Sequence, residues 1–314
     1  MLTTFREWED VLAALQLVLA MSGMGATLTA GDFAGILQRR RAVLLVLLLQ
    51  FIFAPLAVLA IGRLVPLPVG VGLGLLVLAV MPSGAMSNLF THLGCGNLAL
   101  SITATVSSTT ICLFTVPWLL DWLAGPLLTG EITMPAGAVA GDVLLYLLLP
   151  MVGGMLVRRL FPVGARPFSL WTVRASLVVL GIIAVGSLGS GRIEVAEYGW
   201  SVPLLLIAFM ILQFSVARGV TYLLGYDAAD AYTLAIEVTL RNGNLAILFS
   251  STLFTSAAVL SQRLSSGLLY VALFYGGATL FLGVLLAIGQ RRLPPLERPP
   301  RQAAGLPGNR GNPR

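Results

Sequence analysis

Two short polar stretches decide how this chain folds: Met81-Pro82-Ser83-Gly84-Ala85-Met86-Ser87-Asn88 and Glu237-Val238-Thr239-Leu240-Arg241-Asn242-Gly243-Asn244. Each interrupts a segment otherwise apolar enough to cross a bilayer. Unwound backbone at membrane depth is tolerated only where it is buried in protein or lines a cavity. Two interrupted apolar segments at corresponding places in a chain are the sequence mark of a secondary transporter's binding site. Glu237 sharpens the reading, because an ionisable residue inside a membrane span is a functional-site candidate by default.

Working outward, the composition agrees. Hydrophobic residues make up 57% of the 314 residues and charged residues 10%, whereas a soluble domain carries roughly 25% charged residues. The chain therefore reads as an all-α polytopic membrane protein. Its 34 glycines suit close helix–helix contact. At roughly 20 residues per span, about nine spans are expected, near 9–29, 42–63, 69–93, 97–122, 135–157, 171–189, 200–223, 229–254 and 266–290. All 19 basic residues are arginine. Arg39, Arg40 and Arg41, then Arg158, Arg159, Arg166 and Arg174, then Arg291 and Arg292 fall on one side of a nine-span chain. The other side holds scattered Arg6, Arg63, Arg192 and Arg263 beside Glu7, Glu9, Asp10, Glu131, Glu194 and Glu197. The positive-inside rule puts the N-terminus outside and the C-terminus in the cytoplasm. Residues 293–314, rich in Pro, Gly and Arg, read as a disordered cytoplasmic tail. The acidic residues before the first apolar run argue against a cleaved signal peptide.

Several function classes drop out. The net charge of +6 is explained by topology and not by a nucleic-acid surface, since the arginines are not clustered on a soluble module. A chain without lysine has no phosphate-cradling loop of the ATPase kind. Cys95, Cys112 and the single His92 have no metal-binding spacing. No nucleophile–base pair is visible, so an enzyme is not expected.

Helix 97–122 carries Ser101, Thr105, Ser108 and Cys112 on one face. Hydroxyls in membrane helices often bond only their own backbone. Beside an unwound Ser-Asn segment and an intramembrane carboxylate, they also form the oxygen set that a small hard cation needs once it sheds water.

These residues carry a resemblance. Pro82-Ser83-Gly84, Ser87-Asn88, Thr91, Gly96-Asn97-Leu98-Ala99-Leu100-Ser101, Thr105, Ser108-Thr109 and Thr115-Val116-Pro117 resemble the signature of the bile acid:sodium symporter family. Ile236-Glu237-Val238 through Asn242 and Leu245-Ala246 resemble its second motif, and Gly23-Met24-Gly25, Leu28-Thr29 and Asp32-Phe33 its early helix end. The resemblance implies an inverted-repeat fold with two crossing discontinuous helices. Core helices would lie at about 42–122 and 200–290, and panel helices at about 9–29 and 135–189. It implies a first Na+ site at Ser87, Asn88, Ser101, Thr105 and Glu237, and a substrate-proximal Asn242, with Asn244 a further candidate and Arg241 nearby as a substrate-side charge that favours an organic anion. The family's second sodium site would use Gln50, Glu237, the carbonyls of Val238 and Leu240, and a glutamine where this chain has Arg241. Arginine has no acceptor and keeps its charge, so it cannot ligate sodium. Arg241 could pair with Glu237 at i, i+4 if the helix persists, standing in for the lost ion; it could equally snorkel to a water-filled cavity.

The expected function is sodium-coupled symport of an organic anion by alternating access across the cytoplasmic membrane, by a monomer or weak oligomer. A proton-coupled or sodium-independent carrier and a non-transporting membrane ligand sensor stay open as alternatives. Charge asymmetry generates the first test. A tag at the N-terminus should be labelled from outside the cell and a tag at the C-terminus only after permeabilisation; both termini on one side would break the helix count.

Overall fold

The structure, a computed structural model, describes residues 2–124, 136–190, 198–252 and 259–292. The tail expected at 293–314, and Glu131, Arg192, Glu194 and Glu197, lie outside the described residues.

Apart from one isolated bridge pair, the described secondary structure is helical. The elements are α1 (Leu2–Gly25) and α2 (Ala30–Gln38), then α3 (Arg40–Leu64). The first broken segment is α4 (Val69–Val80) and α5 (Ala85–Leu93), followed by α6 (Leu98–Ala124). Next come α7 (Gly137–Leu160), α8 (Pro162–Gly189) and α9 (Ser201–Leu223). The second broken segment is α10 (Ala228–Thr239) and α11 (Gly243–Thr252), and α12 (Val259–Arg292) closes the order. Among the described residues six helices are long and apolar enough to cross a membrane, and counting the α1–α2 pair, bent by 76°, makes seven. The halves α4 and α10 have 12 residues each, about 18 Å at 1.5 Å per residue, too short to cross a bilayer core of about 30 Å alone.

Two packing groups are visible. α1 lies along α7 and α8; α12 packs on α4 and α11, and α9 on α10. The groups meet where α1 touches α11 and α6 touches α7. Small residues permit the closest approaches: a Cβ added to Gly267 would lie 2.6 Å from the carbonyl carbon of Gly70, and one added to Gly25 would lie 2.0 Å from the Met151 carbonyl oxygen.

Three local features differ from the sequence reading. The segment after α1 is not a bare loop: Thr29 and Asp32 form a capping box that starts α2. The arginines expected between the fifth and sixth spans sit instead within helices, Arg158 and Arg159 in the last turn of α7, Arg166 near the start of α8 and Arg174 farther along it, because Pro162 nucleates α8 one residue after α7 stops. Arg158 there donates to the Thr27 carbonyl, and Arg174 lies over the Trp171 ring at 5.5 Å. Third, α3 contains a π turn, Leu49–Phe53, and α7 contains another, Val143–Leu148. In α3 the Ala54 N–H bonds the Leu49 carbonyl, so it does not serve Gln50. The residue that would serve Gln50 in π pairing is Pro55, which has no N–H. The Gln50 carbonyl is thereby left free of helical donors.

The glycine contacts make a stability prediction. Gly267→Val should destabilise the fold by about 1–3 kcal/mol through overpacking, read as a lower thermal midpoint in detergent. Gly62→Ala, where a Cβ meets nothing within 4 Å, should be neutral or mildly stabilising.

Candidate functional site

The two unwound stretches cross. Ser83 and Arg241 form an antiparallel bridge, and the Asn242 N–H donates to the Pro82 carbonyl at 2.8 Å. Each break thus supplies hydrogen-bond partners for the other, as backbone at membrane depth requires. Asn97 ties the same two segments at their far ends: its N–H donates to Thr233 Oγ1 at 2.8 Å and its Nδ2 to Asp230 Oδ1 at 2.7 Å.

Glu237 sits in the last turn of α10 with no solvent exposure. Ser101 Oγ donates to its Oε1 at 2.5 Å and Thr105 Oγ1 to its Oε2 at 2.9 Å. Ser87 Oγ donates to the Gly84 carbonyl at 2.8 Å and lies 3.4 Å from Thr105 Oγ1. Thr105 also meets the Ser101 carbonyl at 3.0 Å, within α6. Four of the five expected first-site residues are joined by these contacts. The fifth, Asn88, follows Ser87 on α5, and its Oδ1 is buried with no hydrogen-bond partner. A buried acceptor without a donor is costly. An oxygen-only cluster that combines such an acceptor with a carboxylate and hydroxyls fits a hard cation.

The second set of expected residues is arranged differently from the expectation. Gln50 Nε2 donates to the main-chain carbonyl of Glu237 at 2.8 Å, and its Oε1 is buried without a partner. Val238 and Leu240 are buried in apolar contacts. Arg241 does not pair with Glu237. The helix stops at Thr239 and Leu240 is extended, with φ −90° and ψ 98°, so the i, i+4 geometry is lost and the guanidinium leaves the carboxylate's face. Arg241 is 5% exposed. Its Nε and Nη2 donate to Gln213 Oε1 at 3.2 and 2.7 Å, and its Nη1 to the carbonyls of Met81 at 3.0 Å and Gln50 at 3.5 Å. Nor does it snorkel, since every one of these partners is buried protein.

Asn242 is buried at the start of α11. Its Oδ1 accepts from the Leu245 N–H at 3.4 Å, and its Nδ2 faces Met21 Sδ of α1 at 4.0 Å. Asn244 is half-buried in the first turn of the same helix.

Sequence reading gave no site role to Ser83, Gln213 or Tyr275. Ser83 Oγ meets Ser108 Oγ at 3.1 Å beside the carboxylate cluster. Gln213 Nε2 donates to the Tyr275 hydroxyl at 3.0 Å, and that hydroxyl donates to the Thr239 carbonyl at 2.6 Å. A signal existed for Gln213: it is the only side-chain amide in α9 and is flanked by the apolar run 202–214.

Comparison with known proteins places these residues in context. A model of the sodium bile acid symporter family matches residues 14–190. The chain is 28% identical to the probable sodium/metabolite cotransporter BASS1, chloroplastic, of Arabidopsis thaliana over 76% of its own length and 58% of that protein's. It is 26% identical to the uncharacterized sodium-dependent transporter YocS of Bacillus subtilis over 82% of its own length and 79% of that protein's. Sodium/bile acid cotransporter 4 of Mus musculus is 31% identical over 57% of this chain and 42% of its own length. The chain thus spans little more than half of the plant relative it matches.

The geometry around Glu237 makes its own prediction. Sodium should raise the thermal midpoint of the wild-type protein, and Asn88→Ala and Thr105→Ala should each abolish that shift. Glu237→Gln should lose it too while staying folded, because Arg241 does not depend on the carboxylate. Normal sodium dependence in both Asn88→Ala and Thr105→Ala would dismiss the assignment.

Proposed function

The chain belongs to the sodium bile acid symporter family, and on that premise we propose that it is a sodium-coupled symporter of a small organic anion that works by alternating access. The family is one of transporters, not enzymes. One observation carries the reading. The buried Glu237 carboxylate receives neutral hydroxyl donors, Ser101 and Thr105 among them, and the Asn88 Oδ1, one residue after Ser87, is buried without a partner. A carboxylate in that setting gains most from a cation.

In this reading the chain passes the membrane nine times. The α4–α5 and α10–α11 pairs are the crossing discontinuous spans of two inverted repeats. α1, α7 and α8 form the panel; α3 to α6 and α9 to α12 form the core that moves against it. The N-terminus is outside the cytoplasmic membrane and the C-terminus inside. Na+ binds Ser87, Asn88, Ser101, Thr105 and Glu237, and travels with the substrate as cargo. The organic anion lies between the crossover and α1, with Asn242 and Asn244 at the N-terminal end of α11. Free N–H groups at a helix start favour negative charge there. The contact between Asn242 and Met21 closes this gap in the conformation described, and opening it is the substrate's entry step.

Arg241 fills the electrostatic role of a second sodium. Two sodium ions with a monoanion would move one net charge per cycle, worth about 2.3 kcal/mol at 100 mV, or close to fifty-fold accumulation. With a fixed guanidinium instead, one sodium accompanies a monoanion and the cycle is electroneutral. The competing reading is proton coupling through Glu237, which has no cationic partner among the described residues.

Uptake of candidate carboxylates and sterol conjugates into proteoliposomes under imposed sodium, proton and potassium–valinomycin gradients separates these. Uptake should follow sodium with a Hill coefficient near one and ignore membrane potential. Arg241→Gln should turn the sodium dependence sigmoidal and voltage-sensitive. Uptake driven by a proton gradient alone would favour the competing reading, and binding without accumulation would make the protein a sensor.

A further inference from the structure

A buried guanidinium ordinarily needs a carboxylate, and Arg241 pairs with none among the described residues. Its partners are three neutral oxygens: Gln213 Oε1, the Met81 carbonyl and the Gln50 carbonyl. Each oxygen is available for a structural reason. Met81 follows the last turn of α4, where carbonyls have no helical donor. Gln50 is left free by the π turn and Pro55. Gln213 is oriented by its other end. Arginine only donates, so the face of the amide turned to it must be oxygen. The amide nitrogen then points to Tyr275, whose hydroxyl hands its own proton to the Thr239 carbonyl at the end of α10. Donation thus runs one way along the chain, from Arg241 through Gln213 and Tyr275 to the Thr239 carbonyl. The C-terminal ends of α4 and α10 both lie at this point, and negative helix ends favour a cation.

We propose that Gln213 Oε1 and the carbonyls of Met81 and Gln50 form a cation cradle separate from the Glu237 cluster, filled in this chain by its own guanidinium. Gln213 is the positioning residue for Arg241, and Tyr275 fixes the orientation of Gln213. The cradle suits a planar cation that donates in several directions, so a free guanidinium ion is its natural soluble ligand. The inference deepens the proposed role of Arg241 as a fixed charge, and it rests on that reading only for its consequence in transport.

Chemical rescue tests it on the full chain in detergent. Arg241→Ala should have a lowered thermal midpoint, and millimolar guanidinium should raise it saturably while tetramethylammonium, which has no N–H, should not. Adding Gln213→Leu should remove the rescue. Tyr275→Phe in the Arg241→Ala background should raise the half-saturating guanidinium concentration about tenfold, the loss of about one hydrogen bond. Arg241→Ala/Gln213→Glu should lower that concentration, which a merely structural glutamine would not do. If Arg241→Ala folds only when purified with guanidinium, aggregation on its removal counts as rescue; aggregation in its presence overturns the cradle. Absence of rescue, or equal rescue with Gln213→Leu, also overturns it. An electrogenic wild-type protein that still shows rescue would sink the single-sodium stoichiometry and leave the cradle standing. Electroneutral uptake without rescue would do the reverse.

Discussion

Everything at the centre of this molecule depends on where unwound backbone finds hydrogen bonds in a medium without water. Residues 81–84 and 240–242 have left their helices, and each leaves buried main-chain donors and acceptors without helical partners. The crossing solves this by pairing the two breaks with each other, through the Ser83–Arg241 bridge and the bond from Asn242 to Pro82. Helix ends then converge on one point, and side-chain oxygens from α5, α6 and α10 are held there by backbone that cannot relax independently.

Two opposite charges lie within five residues of each other and do not meet. Each is satisfied by dipoles of the matching kind: hydroxyl donors on the Glu237 carboxylate, carbonyl and amide acceptors on the Arg241 guanidinium. A direct pair would have cancelled both charges and left neither for a ligand. Separation keeps a negative subsite and a positive one side by side. Helix polarity supplies part of the compensation without any further charged side chain.

The sequence made much of this legible, for identifiable reasons. Pro82, Gly84 and Gly243 interrupt apolar runs, so the breaks could be placed to within a few residues, although Ala85–Asn88 and Glu237–Thr239 prove to be helical. Glu237 stands out as a charge in a span, and the Ser101–Thr105 face follows from helical spacing. The direction of Arg241 was not legible, because the i, i+4 expectation assumes helix through Leu240 and that residue is extended. Gln213 and Tyr275 come from helices far along the chain, and only the fold brings them to the crossover. The capping box at Thr29 and Asp32 was on the page as letters, but the arginines that follow it drew the segment toward a loop reading. At Arg166 and Pro167 the same bias shortened α8, which runs through Pro167 even though an interior proline forfeits a helical hydrogen bond.

The π turn at Leu49–Phe53 has a consequence for anyone who lines this chain up with its relatives. Such a turn carries one residue more than the α-helix it interrupts, and one helical step is about 100° of rotation. A relative without the extra residue can match this chain on one side of Gln50 only. On the other side every position slides by one, and inward-facing residues are set against lipid-facing ones. For such a relative the gap belongs inside 49–53, and an alignment that closes it smoothly will compare Gln50 with the wrong neighbour.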